Sequence, residues 1–405
     1  MNKTTLLFPG QASQYVGMGK MLYEQYDFVK KLFSEANEVL GFDITSMCFN
    51  GNLEELTHTE NTQPALLVCS VAAYHVFRHE FSVTPDFVAG HSIGEISALT
   101  CVGAIKFRDA LQIVRKRGLL MKEVLGNGKG KMSAIAGVDP ELIEQACAEY
   151  SQTGDKVVIS NYNSTNQYVI SGLENGVKEV GAKLEKLGAK VYPLNVSAPF
   201  HSPYMQNAAD KFREALQKYT FSSFQTPVIS NIDAQPYSDP SLIIDKLVKQ
   251  LVAPVQWVKS IRYLELQGVT MAIELGPKTV LKSLVQSITP AIRVYSSDNK
   301  DDVETLRDNL LTFINKCLAI SVCTKNNNWD NDEYKKGVSE PYSQVQQMLE
   351  KLEADGTLPT IKQAKESLEM LISVFKTKKV PEKEQEQRFE ELFSSTETYS
   401  FFERF

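Results

Sequence analysis

The chain has 405 residues, enough for two or three domains with a substantial core, and its 43% hydrophobic and 23% charged content is typical of a globular protein. A formal net charge of −6 gives no overall attraction to nucleic acid or to an anionic membrane, so neither is expected as a partner. The six cysteines form no C-x-x-C pair, which disfavours a disulfide framework or a zinc site. No apolar stretch has the length of a signal peptide or a membrane span, so we expect a cytoplasmic protein with reduced thiols.

The first half of the chain alternates strand and helix patterns. The apolar run Leu6-Leu7-Phe8 predicts a buried strand that leads into the loop Pro9-Gly10-Gln11. Helical patterns follow around residues 26–40 and 63–81, the second with a proline in its first turn, where proline is tolerated. The run Phe87-Val88-Ala89 predicts a further strand. This alternation indicates an α/β fold with a parallel, helix-covered sheet.

The pentapeptide Gly90-His91-Ser92-Ile93-Gly94, directly after that strand, has the form of a nucleophile elbow. In this device a strand turns sharply into a helix and exposes a serine, and glycines flank it because side chains would collide with neighbouring elements. Glu95 falls in the first turn of the following helix, where a carboxylate suits the helix dipole. Free amides at this helix start could stabilise an oxyanion, and the His91 side chain is expected to point away from Ser92. The alternative is an ordinary buried Gly/Ser turn.

A serine nucleophile needs a base, and His201 is the candidate among five histidines. It lies in the segment Ser197-Ala198-Pro199-Phe200-His201-Ser202, after Ser92 in the order usual for elbow enzymes, although a capping or packing histidine remains the alternative. His75 and His79 share a helix face but lack the glutamate of H-E-x-x-H, which favours a surface face over a metal site. No acidic partner is evident between Ser92 and His201. A backbone carbonyl can orient the ring as well, so a dyad is permitted.

Arg115 and Arg117 flank the apolar stripe of the next predicted helix. Either could extend outward as a surface arginine, or point inward and bind a substrate carboxylate with its planar fork. Helical geometry does not decide between them.

In the middle of the chain the predicted elements follow the order β-α-β-β-α-β, which indicates a ferredoxin-like module at residues 131–196. The segment Gly126-Asn127-Gly128-Lys129-Gly130 predicts a flexible lead-in to this inserted module. The larger domain, residues 1–130 and 197–298, resumes near His201 and closes with a strand at residues 271–275. Residues 299–405 carry three apolar stripes at helical spacing and predict a helical extension, with a linker at 325–328 and a solvated tail or helix face at 376–388.

Several segments together resemble the malonyl-CoA:acyl carrier protein transacylases over residues 1–298. These are Phe8-Pro9-Gly10-Gln11-Ala12-Ser13-Gln14, Thr62-Gln63-Pro64-Ala65-Leu66, Gly90-His91-Ser92-Ile93-Gly94-Glu95, Arg117-Gly118, the Asn161-Tyr162-Asn163-Ser164 loop, Pro199-Phe200-His201-Ser202 and Glu274-Leu275-Gly276-Pro277. The resemblance implies an α/β-hydrolase-like core and a ping-pong acyl transfer without a metal or a permanently bound cofactor. Malonyl-CoA would be the substrate, and an acyl carrier protein with its phosphopantetheine thiol would be the partner.

The resemblance also implies roles for individual residues. Ser92 would be the nucleophile and His201 its base, and the amides of Gln11 and Ile93 would form the oxyanion hole. Arg117 would pair with the malonate carboxylate, and Gln250 would be a positioning residue near the histidine loop.

Two further features narrow the expected substrate and pathway. In related polyketide acyltransferases a phenylalanine before the histidine, here Phe200, goes with malonyl rather than methylmalonyl, and the branched Ile93 points the same way. Excluding one methyl group gives only about 1–3 kcal/mol of discrimination. The C-terminal extension resembles that of a discrete, trans-acting polyketide acyltransferase more than a housekeeping enzyme of fatty acid biosynthesis. A helical cap without a recognition role, an acyl hydrolase that releases stalled acyl groups and a non-catalytic docking scaffold are the alternatives.

Overall fold

A computed structural model describes residues 3–124, 129–152, 154–196 and 198–402. The glycines and asparagine expected as a flexible lead-in, residues 126–128, lie outside the described residues, as does Ser197. The chain divides into two compact units, the first comprising Lys3–Val76 and Pro85–Asp298 and the second comprising Phe77–Thr84 and the residues from 299 onward.

The strands of the described residues are, in chain order, β1 (Lys3–Phe8), β2 (Phe87–Gly90), β3 (Gly130–Ala136), β4 (Val157–Ser164), β5 (Gln167–Leu173), β6 (Lys190–Pro193), β7 (Val228–Ile229), β8 (Val269–Glu274) and β9 (Arg293–Ser296). The α-helices are α1 (Lys20–Gln25), α2 (Asp27–Leu40), α3 (Ile44–Asn50), α4 (Leu53–Thr57), α5 (Thr59–Phe81), α6 (Ile93–Cys101), α7 (Phe107–Glu123), α8 (Pro140–Ser151), α9 (Glu174–Lys186), α10 (Gln206–Leu216), α11 (Leu242–Val252), α12 (Trp257–Leu266), α13 (Val280–Ile288), α14 (Lys300–Cys323), α15 (Asn331–Tyr334), α16 (Glu340–Asp355), α17 (Ile361–Thr377) and α18 (Glu382–Thr396). Among them, no helix is long and apolar enough to cross a membrane.

The first unit contains a five-stranded sheet in the order β7-β2-β1-β8-β9, and every pair in it is parallel. Its central strands are buried on both faces, as the continuous apolar runs of β1 and β2 require. The carboxyl ends of β1 and β2 are adjacent, because Phe8 pairs with Gly90. The loop after β1 and the turn after β2 therefore meet at one sheet edge, where α/β folds form their sites. The expected α/β class is confirmed.

A second sheet in the same unit has the antiparallel order β4-β5-β3-β6. Numbered within the module, this is the 2-3-1-4 order of a ferredoxin-like fold, as the sequence predicted. The segment Asn161–Ser164 is wrong as a predicted loop, because it continues β4 and pairs with β5 through two register shifts. Those bulges let a polar segment stay in the ladder. Asn161 also bridges Val255, which joins this sheet to the larger core.

Helix α5 begins at Thr59, four residues before the predicted start, so Pro64 lies inside the helix rather than in its first-turn position. Proline has no N–H, so the carbonyl of Glu60 loses its usual helical partner. The Nη1 atom of Arg115 donates to that carbonyl at 2.7 Å and replaces the missing bond. The short strands β7 and β9 are a second difference from the prediction, since two to four residues give too little pattern to identify.

The second unit is helical, as predicted, and its main members are α14, α16, α17 and α18. The ammonium group of Lys378 is buried and donates to the carbonyls of Ser321 and Thr324 near the end of α14. The expectation of a wholly solvated segment at 376–388 is therefore wrong at Lys378. The predicted linker 325–328 is held as well, because the N–H of Asn327 donates to the Lys378 carbonyl.

Candidate active site

Ser92 lies at the sharp turn between β2 and α6, with φ 55° and ψ −110°. Such angles are strained for a residue with a side chain and persist only where the surroundings enforce them. The flanking glycines are required by space. A Cβ atom on Gly90 would lie 1.9 Å from the carbonyl oxygen of Gly94, and one on Gly94 would lie 2.1 Å from that of Phe8. The turn therefore has the geometry of a nucleophile elbow.

The Oγ atom of Ser92 lies 2.9 Å from the Nε2 atom of His201, which is hydrogen-bonding distance. On the other side of the ring, Nδ1 lies 2.7 Å from the carbonyl oxygen of Gln250. A carbonyl can only accept, so Nδ1 carries the proton and Nε2 is free to accept from the serine hydroxyl. The pair has the geometry of a serine–histidine dyad oriented by a backbone carbonyl, the arrangement that the sequence permitted.

His201 is buried, and its ring is held in the neutral form. Burial and, second to it, the positive charge of Arg117 together lower the pKa of His201 to about 3. The ring is therefore an available proton acceptor at neutral pH. Its backbone φ of 55° also departs from ordinary geometry, so both members of the dyad lie on strained backbone.

Arg117, not Arg115, points into the site. Its guanidinium is 1% exposed, with Nη1 donating to Gln63 Oε1 at 2.9 Å and Nη2 donating to Gln250 Oε1 at 2.8 Å. Nη2 also lies 3.3 Å from Ser92 Oγ. Arg115 instead binds the backbone of Glu60 and the side chain of Asn61.

Among the described residues no ion pair involves Arg117, and Glu95 is the carboxyl group that acts on its charge from a distance. The buried Nε atom of Arg117 has no hydrogen-bond partner among those residues either. Burial lowers the pKa of Arg117 to about 10, and nearby Glu95 opposes that shift, so the group stays charged at neutral pH. A planar cation whose Nη2 atom lies beside the Ser92 hydroxyl is suited to an anionic group on a substrate.

A second layer of hydrogen bonds supports the nucleophile. The N–H of Ser92 donates to Asn231 Oδ1 at 2.7 Å, and Gln250 Nε2 donates to the Ser92 carbonyl at 3.0 Å. Both Asn231 and Gln250 also contact Glu95, whose carboxyl group is fully buried below the turn. Burial raises the pKa of Glu95 to about 7, against the lowering effect of donors that include Tyr237.

The expected oxyanion donors lie at the same sheet edge. Since the Ser92 amide is already bound to Asn231, it is not free for a substrate. In the part of the chain that the structure describes, the amides of Gln11 and Ile93 have no hydrogen-bond acceptor. Gln11 follows β1 and Ile93 begins α6, so both amides are placed beside the nucleophile by the sheet.

These groups line a cavity of about 350 Å³ between the parallel sheet edge and the antiparallel sheet. Phe200 forms part of its wall, 6% exposed, next to the catalytic histidine candidate. The remaining walls come from both sheets and from α7 and α13, through residues that include Met121, Met132, Val169, Leu194 and Leu281. The cavity is apolar over most of its lining area and also carries polar side chains, as is usual for small-molecule sites.

His91 differs from its prediction. Its side chain lines the same cavity as Ser92, and Nε2 lies 2.8 Å from Asn163 Oδ1. The expectation that it points away from the nucleophile's side is wrong. The loop after β1 packs closely against His91, because a Cβ atom on Gly10 would lie 2.6 Å from the His91 carbonyl oxygen and 3.1 Å from its Nδ1 atom.

Sequence reasoning assigned no role in the site to Gln63, Asn163, Asn231 or Tyr237. Gln63 and Asn163 lay inside segments that carried the family resemblance, which was the available signal. Asn231 follows β7, a two-residue strand whose carboxyl end reaches the same edge. Because that strand is too short to show a sequence pattern, the sequence does not indicate that Asn231 lies at the site. Within the described ranges, no group of three or more metal-binding side chains is found.

The chain is similar to several known proteins. Residues 5–305 match the family described as the acyl transferase domain. Over 395 residues the chain is 37% identical to a malonyl CoA-acyl carrier protein transacylase of Bacillus subtilis, covering 95% of this chain and 99% of that relative. It is similar to the crystal structure of an acyl carrier protein S-malonyltransferase from Vibrio cholerae, with a TM-score of 0.73 and 40% identity, over 75% of this chain and 100% of that one.

A second similar structure is a malonyl-transacylase in complex with its type II polyketide synthase acyl carrier protein. The TM-score is 0.73 with 38% identity, over 75% of this chain and 98% of that one. The Bacillus relative therefore extends into the C-terminal helical region, whereas these two solved structures cover three quarters of this chain.

Proposed function

The chain belongs to the malonyl-CoA:acyl carrier protein transacylases, and we propose that it moves a malonyl group from malonyl-CoA to the phosphopantetheine thiol of a carrier protein through an ester on Ser92. The observation that carries the proposal is the meeting of Ser92 Oγ, His201 Nε2 and Arg117 Nη2 within hydrogen-bonding distance. A nucleophile, its base and a fixed cation are what transfer of a carboxylate-bearing acyl group requires.

In the first half-reaction, Ser92 Oγ attacks the thioester carbon and its proton passes to His201 Nε2. The carbonyl oxygen becomes an oxyanion, which accepts hydrogen bonds from the amides of Gln11 and Ile93. The C–S bond then breaks, and coenzyme A leaves as a thiol after taking the proton from His201. Support for this assignment comes from the two unoccupied amides beside a serine whose own amide is engaged.

In the second half-reaction, the carrier's thiol gives its proton to His201 and attacks the Ser92 ester. The ester C–O bond breaks, Ser92 recovers the proton, and malonyl-carrier leaves. Throughout, Arg117 holds the malonate carboxylate, with its Nη2 atom 3.3 Å from Ser92 Oγ. Gln250 positions both partners, because its carbonyl orients His201 and its amide oxygen holds Arg117.

Phe200 is proposed to restrict the acyl group to malonyl by filling the space beside His201. We propose that residues 1–130 and 197–298, together with the module 131–196, carry out catalysis and that residues 299–405 form a helical extension. We further propose that the protein works in the cytoplasm as a discrete enzyme serving polyketide synthase carriers. Support for the pathway is the helical region beyond the family match at 5–305.

The test mixes the purified protein with malonyl-CoA and a holo carrier protein, using polyketide and fatty acid carriers in parallel. Formation of malonyl-carrier with release of coenzyme A is the expected result, faster with the polyketide carrier. Release of free malonate without malonyl-carrier would instead establish a hydrolase. Equal rates with both carriers would remove the pathway assignment and leave the transfer reaction in place.

A further inference from the structure

Glu95 is a buried titratable group to which the transfer reaction assigns no role. It lies in the first turn of α6, three residues after the nucleophile, and its side chain is 0% exposed. An interaction with the helix dipole would not require burial, and burying a carboxylate is unfavourable unless hydrogen bonds satisfy it. Three donors do so: Tyr237 Oη at 2.5 Å, Gln250 Nε2 at 2.5 Å and the Asn231 N–H at 3.2 Å.

The contact with Gln250 fixes the direction of an amide that faces Arg117. The Oε2 atom of Glu95 accepts from Gln250 Nε2, and this bond selects the orientation in which Gln250 turns its NH₂ group toward Glu95. The amide oxygen then faces the other way and accepts from Arg117 Nη2 at 2.8 Å. In the flipped orientation, two donors would meet at Arg117 and two acceptors at Glu95. Glu95 therefore acts on the guanidinium through one intervening side chain.

The contact with Asn231 acts on the nucleophile. Glu95 accepts from the backbone N–H of Asn231, whose side chain receives the Ser92 amide at 2.7 Å and donates to the Gly90 carbonyl at 2.7 Å. These two bonds hold both sides of the strained turn. A single buried carboxylate thus supports the nucleophile's backbone and the cation that faces it, from below the turn.

From these contacts we infer that Glu95 is a positioning residue for malonyl transfer: it aligns Arg117 through Gln250 and the Ser92 turn through Asn231. The inference rests on the proposed function. Its consequence is a specific one, because a misaligned Arg117 weakens the reaction of an acyl group with a carboxylate more than that of an uncharged acyl group. A residue that merely stabilised the fold would affect both substrates alike.

The test measures kcat/KM for enzyme acylation by malonyl-CoA and by acetyl-CoA in Glu95→Ala, Glu95→Gln and the wild type. For Glu95→Ala we expect malonyl kcat/KM to fall about 100-fold and the malonyl-to-acetyl ratio to fall at least about tenfold, since charge-assisted hydrogen bonds are lost. Glu95→Gln keeps the shape and one acceptor, so it should recover most of the ratio. The matched control is Glu274→Gln, which alters an equally buried carboxyl group that binds the amides of Leu281 and Lys282 on another helix.

The control Glu274→Gln should have a lower free energy of unfolding and the wild-type malonyl-to-acetyl ratio of kcat/KM. If Glu95→Ala does not fold, Tyr237→Phe removes one donor to Glu95 and should lower the ratio about threefold. A wild-type ratio in folded Glu95→Ala or in Tyr237→Phe, or an equal loss of ratio in Glu274→Gln, would overturn the inference. A wild-type enzyme that is not acylated by malonyl-CoA at all would overturn the proposed function instead, so the two failures are distinguishable.

Discussion

The Nη2 atom of Arg117 lies 3.3 Å from the Oγ atom of Ser92, so the cation and the nucleophile face the same small volume. This closeness has two effects that oppose each other. It places the cation that we propose binds the malonate carboxylate beside the nucleophile, and it puts a positive charge near His201, the proposed base. A bound malonate would neutralise that charge, which favours substrates that carry a carboxylate.

Replacement of Arg117 by alanine should therefore change substrate preference as well as rate. We expect kcat/KM for acylation by malonyl-CoA to fall about 10²- to 10⁴-fold, because two charge-assisted hydrogen bonds are removed. Acetyl-CoA should be affected much less and should gain relative to malonyl-CoA. Steady-state comparison of the two substrates measures this, with Arg115→Ala as the control, since Arg115 binds α5 and lies outside the cavity. An unchanged malonyl preference would remove Arg117 from the site.

The charge of Arg117 should also be visible in the titration of His201. Burial first and Arg117 second lower the pKa of His201 to about 3, so the ring should remain neutral at pH 5. In Arg117→Met one of the lowering causes is absent, and the pKa of His201 should rise toward its ordinary value of 6.5. NMR of ring-labelled histidine tests this by comparing the pH dependence of the His201 signal in the wild type and in Arg117→Met. A His201 signal that titrates near pH 6.5 in the wild type would refute the electrostatic account.

The two glycines of the elbow should not tolerate a methyl group. Gly94→Ala would bring a Cβ atom to 2.1 Å from the Phe8 carbonyl oxygen, so strand β1 or the turn must move. We expect a loss of about 3 kcal/mol or more in the free energy of unfolding, with loss of acylation. Gly181→Ala, in helix α9, is the control. Its Cβ atom would contact only a methyl group of Val191, at 3.3 Å. Denaturant unfolding compares them, and equal stabilities would contradict the packing argument.

Stability should depend on pH through Glu274, which is buried at the end of β8. Burial raises the pKa of Glu274 from 4.5 to about 7, although the amides of Leu281 and Lys282 oppose the shift. The folded state therefore binds more protons than the unfolded state between these values, and this stabilising contribution is lost as the pH rises through 7. The free energy of unfolding of the wild type, minus that of Glu274→Gln, should fall by about 3 kcal/mol between pH 4.5 and 8. A difference that rises over this range would contradict the assigned burial effect.

Much of the fold and the central dyad were predictable because their signals are local. The G-x-S-x-G turn, the apolar runs of β1 and β2 and the β-α-β-β-α-β order each depend on neighbouring residues. The choice of Arg117 over Arg115 was not predictable from periodicity, since both flank one helical stripe. Which arginine points into the site depends on the side of α7 against which α5 packs. Helix α5 itself starts earlier than its proline suggested, because Arg115 supplies the missing hydrogen bond.

The hydrogen bonds that support Ser92 from below the turn were harder to predict from the sequence, for a related reason. Asn231 and Tyr237 reach Glu95 only through the two-residue strand β7 and the turn that follows it, which carry no periodic pattern. Glu95 had an adequate local explanation at a helix start, so nothing indicated that it was buried. Long-range hydrogen bonds of this kind are visible only after the chain has folded.

The most direct test of the central claim is intact-protein mass spectrometry after mixing with malonyl-CoA, followed by peptide mapping. The account predicts one malonyl group attached as an ester to Ser92, absent in Ser92→Ala, and removed as malonyl-carrier when a holo carrier protein is added. A wild-type protein that forms malonyl-carrier with no ester on Ser92, or whose Ser92→Ala variant is acylated at the same rate, would contradict it.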